Sequence, residues 1–230
     1  MIGIIAYGAG NLHNLQRGLR FGGFEAVILE NPGKAEQAEL LLLPGVGAFA
    51  PAMEALNRSG WGDQLRHWHQ AERPLLGICL GMQLLCRESF EKEHTPGLGF
   101  LDASVELLSG APKLPHMGWN SLEWQRPFSP ALLPSSNPST CSTSLASSGD
   151  ASPATNLSDE TFYFVHSYGV LESPHTLATT TTGEVTFASV LGRGKVLGMQ
   201  FHPERSGPRG VAFLARVLRQ YTNTSWEGIV

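Results

Sequence analysis

The sequence predicts an α/β fold: a mostly parallel central sheet flanked by helices, with antiparallel hairpin strands in the C-terminal half. Three observations carry that reading. Short, continuous apolar runs alternate with stretches of helical period through the first hundred residues. Apolar segments joined by tight glycine-containing turns occupy residues 177–201, and an amphipathic stretch follows them. Continuous apolar strands are what a parallel sheet needs when helices cover both of its faces.

Residues 2–6 form the first apolar run, and Leu12, Leu15 and Leu19 then fall on one helix face. Residues 24–29, 40–43 and 75–79 repeat the buried-strand pattern. Beyond Gly99 the texture changes. Residues 177–182, 185–191 and 196–201 read as strands, joined by Gly183-Glu184 and by Gly192-Arg193-Gly194, so antiparallel hairpins are expected. Val211, Leu214, Leu218 and Tyr221 recur at helical spacing behind Pro208, whose fixed φ suits a first helical turn.

A length of 230 residues implies one sizeable core and a single domain over 1–230. Residues 127–158 stand apart, with 10 Ser, 3 Thr, 5 Pro and Asp150 as their only charge. Such a stretch cannot bury enough apolar surface to offset its ordering entropy, so a flexible surface insertion within the domain is expected.

Sixteen Lys and Arg against twenty Asp and Glu give a net charge of −4, which lacks the basic footprint of a nucleic-acid or membrane-surface protein. No apolar run approaches the ~20 residues needed to span a bilayer. The opening MIGIIAYGAGN reads as a first strand and not as a secretion signal, so a cytoplasmic location is expected. Cys79, Cys86 and Cys141 are odd in number and lack CxxC spacing, which disfavours a disulfide framework and a zinc site. No metal and no cofactor is expected.

Gly77-Ile78-Cys79-Leu80-Gly81 ends a buried strand and opens a helical stretch. This is the G-x-nucleophile-x-G elbow with cysteine in the serine position, its glycines permitting a strained turn and close backbone approach. It places Cys79 exposed at a helix N-terminus, which favours a thiolate. Gln200-Phe201-His202-Pro203-Glu204 supplies a base and an orienting carboxylate. Pro203 biases His202 toward extended geometry, and side chains two apart on an extended chain share a face. Leu43-Pro44-Gly45-Val46-Gly47, at another strand end, can aim a backbone N–H into a cleft; with the amide of Leu80 it forms a candidate oxyanion hole. Taken singly, these motifs also fit a buried structural cysteine, a surface turn and an ordinary strand-to-helix turn. Jointly they point to one crevice, because the carboxyl ends of the strands of an α/β sheet converge there.

These residues resemble the class I (triad) glutamine amidotransferases, through GICLGMQ at 77–83, LPGVGAF at 43–49 and QFHPE at 200–204. YGAGN at 7–11, PHMGWN at 115–120, YFVHSY at 163–168 and HPERSG at 202–207 narrow the resemblance to the glutaminase subunits of imidazole glycerol phosphate synthase. The likeness covers the chain outside the Ser/Pro-rich stretch. It implies that Cys79 attacks the side-chain amide of glutamine to form a γ-glutamyl thioester, with His202 as base and then acid and Glu204 orienting it. It implies Val46 and Leu80 as oxyanion donors, and Gln83, Glu91, Ser167 and Tyr168 around the substrate. It implies a (β/α)₈ cyclase partner that receives the ammonia and makes imidazole glycerol phosphate and an aminoimidazole carboxamide ribonucleotide. Asn11, Trp119 and Arg205 match positions at the subunit contact. The family often carries lysine where this chain has Arg205, and the insertion at 127–158 is longer than the family's pattern.

Other residues have plainer readings. His67 and His69 flank Trp68 on a polar helix and are expected to be solvated; His116 and His166 are assigned structural roles and Cys86 a place in the core. Gly8-Ala9-Gly10 lacks the third glycine of a dinucleotide loop. A free-standing cysteine hydrolase and a catalytically silent module are the competing functions. The first runs nucleophile, acid, histidine, whereas here His202 precedes Glu204; the second need not retain a triad.

Overall fold

The structure, a computed structural model, describes residues 1–125 and 160–222. The insertion expected at 127–158 lies outside the described residues. The first half alternates as the apolar runs require: β1 (Ile2–Ile5), α1 (Leu12–Phe21), β2 (Ala26–Leu29), β3 (Leu40–Gly45), α2 (Phe49–Arg58), α3 (Trp61–Gln70), β4 (Leu75–Cys79) and α4 (Leu80–Leu85). The short strands β5 (Cys86–Ser89), β6 (Thr95–Pro96), β7 (Leu101–Leu107), β8 (His116–Ser121) and β9 (Glu123–Trp124) follow. After the undescribed stretch come β10 (Thr161–His166), β11 (Tyr168–Val170), β12 (Thr176–Thr182), β13 (Val185–Arg193), β14 (Val196–Met199) and α5 (Gly207–Thr222).

Eight strands form the central sheet in the order β2-β1-β3-β4-β14-β13-β12-β9. Pairing is parallel from β2 through β14 and antiparallel from β14 outward. Strand β14 is therefore the seam, parallel to β4 and antiparallel to β13, and it brings the 200–204 segment beside the elbow at the end of β4. Alternation along the strands divides the core. Leu41, Leu43 and Leu75 face Phe49, Trp61 and Trp68 of α2 and α3, while Leu40, Leu42 and Ile78 face Leu15 and Leu19 of α1 and Phe213 and Leu218 of α5. Asn11 caps α1 by accepting from the Asn14 N–H at 3.2 Å.

A four-stranded sheet in the order β11-β7-β5-β6 and the β8/β10 pair lie outside the central sheet. The apolar runs do not announce them, because β7 and β8 alternate buried and exposed residues and β6 spans two residues. His69 departs from the expected solvated state: its ring stacks on Phe100 at 4.3 Å, and burial, then Arg193, lowers its pKa. His67 is exposed, and no cluster of metal-ligating side chains occurs among the described residues. Cys86 is buried in the core, which pushes its thiol pKa up.

Candidate active site

The elbow bears its strain on the nucleophile itself. Cys79 sits at φ 53° and ψ −113°, a region costly for a residue with a Cβ. Its flanking glycines serve close approach: a Cβ on Gly81 would overlap the Leu43 carbonyl, and one on Gly77 would come within 2.7 Å of the Gly81 oxygen and the Met82 nitrogen. Cys79 is 6% exposed, so the expectation of an exposed thiol is corrected. The chain turns from strand into helix at Cys79, which lines a cavity.

That cavity has a volume of about 530 Å³. Cys79, His202 and Glu204 line it, together with Val46, Leu80, Gln83, Glu91, Ser167, Tyr168, Asn11 and Arg205. Every residue expected at the site is thus brought together except Trp119. That side chain lies on β8, 54% exposed, with its ring 6.1 Å from Tyr163. Arg205 reaches the same Tyr163 ring, its guanidinium carbon 5.7 Å from the centroid. Trp119 and Arg205 thus share the Tyr163 ring, and Asn11 and Arg205 line the cavity.

His202 is 3% exposed, and its Nδ1 lies 2.8 Å from Glu204 Oε1. An extended 202–204 segment was the expected cause of that contact; the structure has a 3₁₀ turn over Pro203–Arg205 instead, with only His202 extended. The turn curls the carboxylate back under the ring. Among the described residues Nε2 makes no hydrogen bond of good geometry. Burial pulls the imidazole pKa down, but Cys79 and then Glu204 outweigh it and lift it to about 10. The site favours a histidine that holds a proton.

Strand register sets the third motif beside the elbow, pairing Gly45 with Cys79 across β3 and β4. Val46 and Leu80 line the cavity on the two sides of this pairing. Two contacts fix the loop's ends. The Tyr7 hydroxyl donates to the Pro44 carbonyl at 2.9 Å, and burial, then the charge of Cys79, pushes that phenol's pKa up, so it remains a donor. Glu91 Oε2 accepts from the Phe49 N–H at 2.8 Å, at the start of α2, where no side chain of its own caps the helix. Glu91 also lines the cavity. Gln83 spends its amide N–H groups on the Tyr168 carbonyl at 2.8 Å and on Gln200 Oε1 at 2.9 Å. The Ser167 carbonyl accepts from Leu108.

Sequence reasoning missed Tyr7 and Gln200. For Gln200 the signal was available: the period-two argument that joined His202 to Glu204 also places Gln200 on the His202 face. Tyr7 carried no such signal, since only the folded loop sets its hydroxyl on Pro44. His116 and His166 are buried against Phe164 and Phe187, and His166 also lines the cavity.

A cysteine on a strained strand-to-helix turn, a histidine paired with a carboxylate, and the Val46 and Leu80 turns lining the same cavity are the parts that acyl transfer through a thioester uses. A family model described as glutamine amidotransferase class-I matches residues 4–220. The chain is 38% identical over 236 residues to an imidazole glycerol phosphate synthase subunit HisH of Halalkalibacterium halodurans, covering 100% of this chain and 98% of the relative. It is 38% identical over 220 residues to the subunit of that name in Methanopyrus kandleri, covering 94% and 96%. A solved structure of a glutamine amidotransferase shares the fold with a TM-score of 0.68 at 21% identity, covering 97% of this chain and 99% of the other. The extent of the family match and the identity to these relatives lead to one conclusion: the chain belongs to the class-I glutamine amidotransferase family.

Proposed function

We propose that this chain is the glutaminase subunit of an imidazole glycerol phosphate synthase, a single-domain cytoplasmic enzyme that hydrolyses glutamine and passes the ammonia to a cyclase. The observation that carries the reading is the His202–Glu204 contact at 2.8 Å in the cavity that Cys79 also lines. Sulfur and a base converge there on space for a small amide.

The reaction divides into two acyl transfers. The thiol proton passes to His202 Nε2, and the sulfur attacks the glutamine γ-carbon. Backbone N–H groups of Val46 and Leu80 receive the oxyanion; one such donor is worth about 10²- to 10³-fold in rate. The C–N bond then breaks as His202 returns its proton to nitrogen, releasing ammonia and leaving the thioester. Water attacks next, with His202 again as base, and glutamate leaves as the proton returns to sulfur. Glu204 holds the Nδ1 proton throughout and fixes the tautomer. The Glu91 carboxylate suits the substrate ammonium, and Gln83, Ser167 and Tyr168 line the same cavity.

The partner is proposed to be a (β/α)₈ cyclase that uses the ammonia on a phosphoribulosyl formimino intermediate. Exposed Met117, Trp119 and Val46, with Asn11 and Arg205 at the cavity mouth, give its docking face an apolar part and a charged part. Steady-state glutamate release, measured on the chain alone and with a cyclase and its ribonucleotide ligand, tests the reading. Release that rises by orders of magnitude in the loaded complex supports it. Equal rates with and without the cyclase would return the chain to a free-standing hydrolase.

A further inference from the structure

Gln200 follows directly on β14 and is fully buried, with its backbone N–H held by the Ser189 carbonyl at 2.9 Å. Its side chain lies between Gln83 and the nucleophile. Oε1 accepts from Gln83 Nε2 at 2.9 Å, and Nε2 lies 3.7 Å from Cys79 Sγ. The orientation of two adjoining amides is ordinarily ambiguous, because either can be flipped. Here the chain of contacts removes the ambiguity. Gln83 also contacts the Tyr168 backbone carbonyl at 2.8 Å, and a carbonyl only accepts. The Gln83 atom there is therefore its NH₂, the Gln200 atom facing that NH₂ is its oxygen, and the remaining Gln200 NH₂ points at sulfur.

We propose that Gln200 is a further catalytic residue, whose amide donates a hydrogen bond to the Cys79 sulfur and stabilises it as a thiolate, with Gln83 and the Tyr168 carbonyl as the positioning groups. This rests on the glutaminase reading and adds to it. Gln200 transfers no proton: the thiol proton goes to His202, and Gln200 supplies a fixed dipole to the charge left on sulfur. The same N–H is in place when the thioester collapses and charge returns to sulfur as water displaces it. Gln83 thereby gains a second task. Its two N–H groups are both engaged inside the protein, which leaves only its oxygen for the substrate, and any shift in Gln83 on glutamine binding is passed to the sulfur through Gln200.

A hydrogen bond to an ionised group contributes roughly 1.5–3 kcal/mol, so its loss corresponds to about a ten-fold or greater change. Gln200→Met keeps the length and removes the donor. The full chain in complex with a cyclase is assayed for iodoacetamide alkylation of Cys79 from pH 5 to 10, glutamate release, and melting temperature. Gln200→Met is expected to alkylate about ten-fold more slowly near neutral pH and to converge on the wild-type rate at high pH, with kcat for glutamate release falling more than KM rises. Gln83→Met, which frees the Gln200 amide to turn, is expected to show a smaller loss of the same sign, and it keeps the test open if Gln200→Met does not fold. A folded Gln200→Met with a wild-type alkylation profile, or wild-type alkylation in Gln83→Met when the first variant is unfolded, overturns the proposal. Alkylation needs no glutamine chemistry. A wild-type complex that releases no glutamate would therefore count against the glutaminase reading separately.

Discussion

The Cα of Gly81 lies against the backbone carbonyl of Leu43, leaving no room for a Cβ. Helix α4 can begin directly after Cys79 only because of that approach, which also holds the start of the Pro44–Gly47 loop beside the nucleophile. Gly45 meets the same crowding from the other side, its missing Cβ being 2.9 Å from the Gly81 nitrogen and 2.8 Å from the Tyr7 hydroxyl.

Gly81→Ala is expected to destabilise the protein by about 1–3 kcal/mol, the usual cost of overpacking a closed site, and to lower glutamate release at least ten-fold by displacing the loop. Thermal melting and steady-state kinetics check both. Wild-type melting in this variant would mean that the turn relaxes freely.

Tyr7→Phe removes the side-chain donor from the buried Pro44 carbonyl. A loss of roughly 1–3 kcal/mol of stability is expected. Because the bond fixes the Pro44–Gly45 peptide, which adjoins the peptide carrying the Val46 N–H, kcat should fall with little change in KM. Denaturant titration and the kcat/KM split measure the two effects; a large rise in KM alone would place Tyr7 in substrate binding instead.

Cys79→Ala is expected to abolish glutamine-dependent synthesis in the cyclase complex while leaving synthesis from added ammonia intact, since only the thioester step is lost. Assays with each nitrogen source separate the outcomes. Loss of both activities would make Cys79 structural.

These expectations show where sequence reading succeeds. The parallel half of the sheet was legible because residues 2–5, 40–43 and 75–79 are buried on both faces and leave a continuous apolar run. The elbow was legible because its glycines and cysteine are adjacent in sequence. The His202–Glu204 contact was foreseen for a different reason from the one that produces it. Spacing gave the proximity, but the 3₁₀ turn at Pro203 makes it. Strands β5, β6 and β9 were not legible because two to four residues show no period, and in β8 the shielded positions carry His116, Gly118 and Asn120 instead of apolar residues. Burial of Cys79 was likewise hidden, because it depends on β14, more than a hundred residues away, placing Gln200 and His202 beside it.

His166 gives a pH-dependent expectation at the acid end. Burial pulls it down to about 3, against the opposing hydrogen bond to the Tyr168 carbonyl and with help from His116 and His202. A histidine held below its unfolded pKa near 6.5 binds fewer protons folded than unfolded. Its contribution is therefore present above about pH 6.5 and lost as pH falls toward 3. Chemical denaturation across that window should show a shallower decline for His166→Phe than for the wild type. Parallel declines would mean that His166 titrates normally.

At the alkaline end the sign reverses. His202 is lifted to about 10 by Cys79 and Glu204 despite its burial, so the folded protein holds a proton that the unfolded chain releases near 6.5. The stability from this proton is full below about pH 6.5 and is lost as pH climbs through about 10. His202→Asn should consequently differ most from the wild type in slightly acid solution, and the difference in unfolding free energy should shrink toward pH 10. Glu204→Gln removes the carboxylate and keeps the shape of the side chain, so it should narrow the same window from above. In activity it should lower kcat about 10²- to 10⁴-fold, the range expected when a general base loses its orienting partner. Denaturant titrations of the three proteins at several pH values, beside glutamate release, measure both. A wild-type minus His202→Asn difference that grows with pH would show that the ring is neutral when folded.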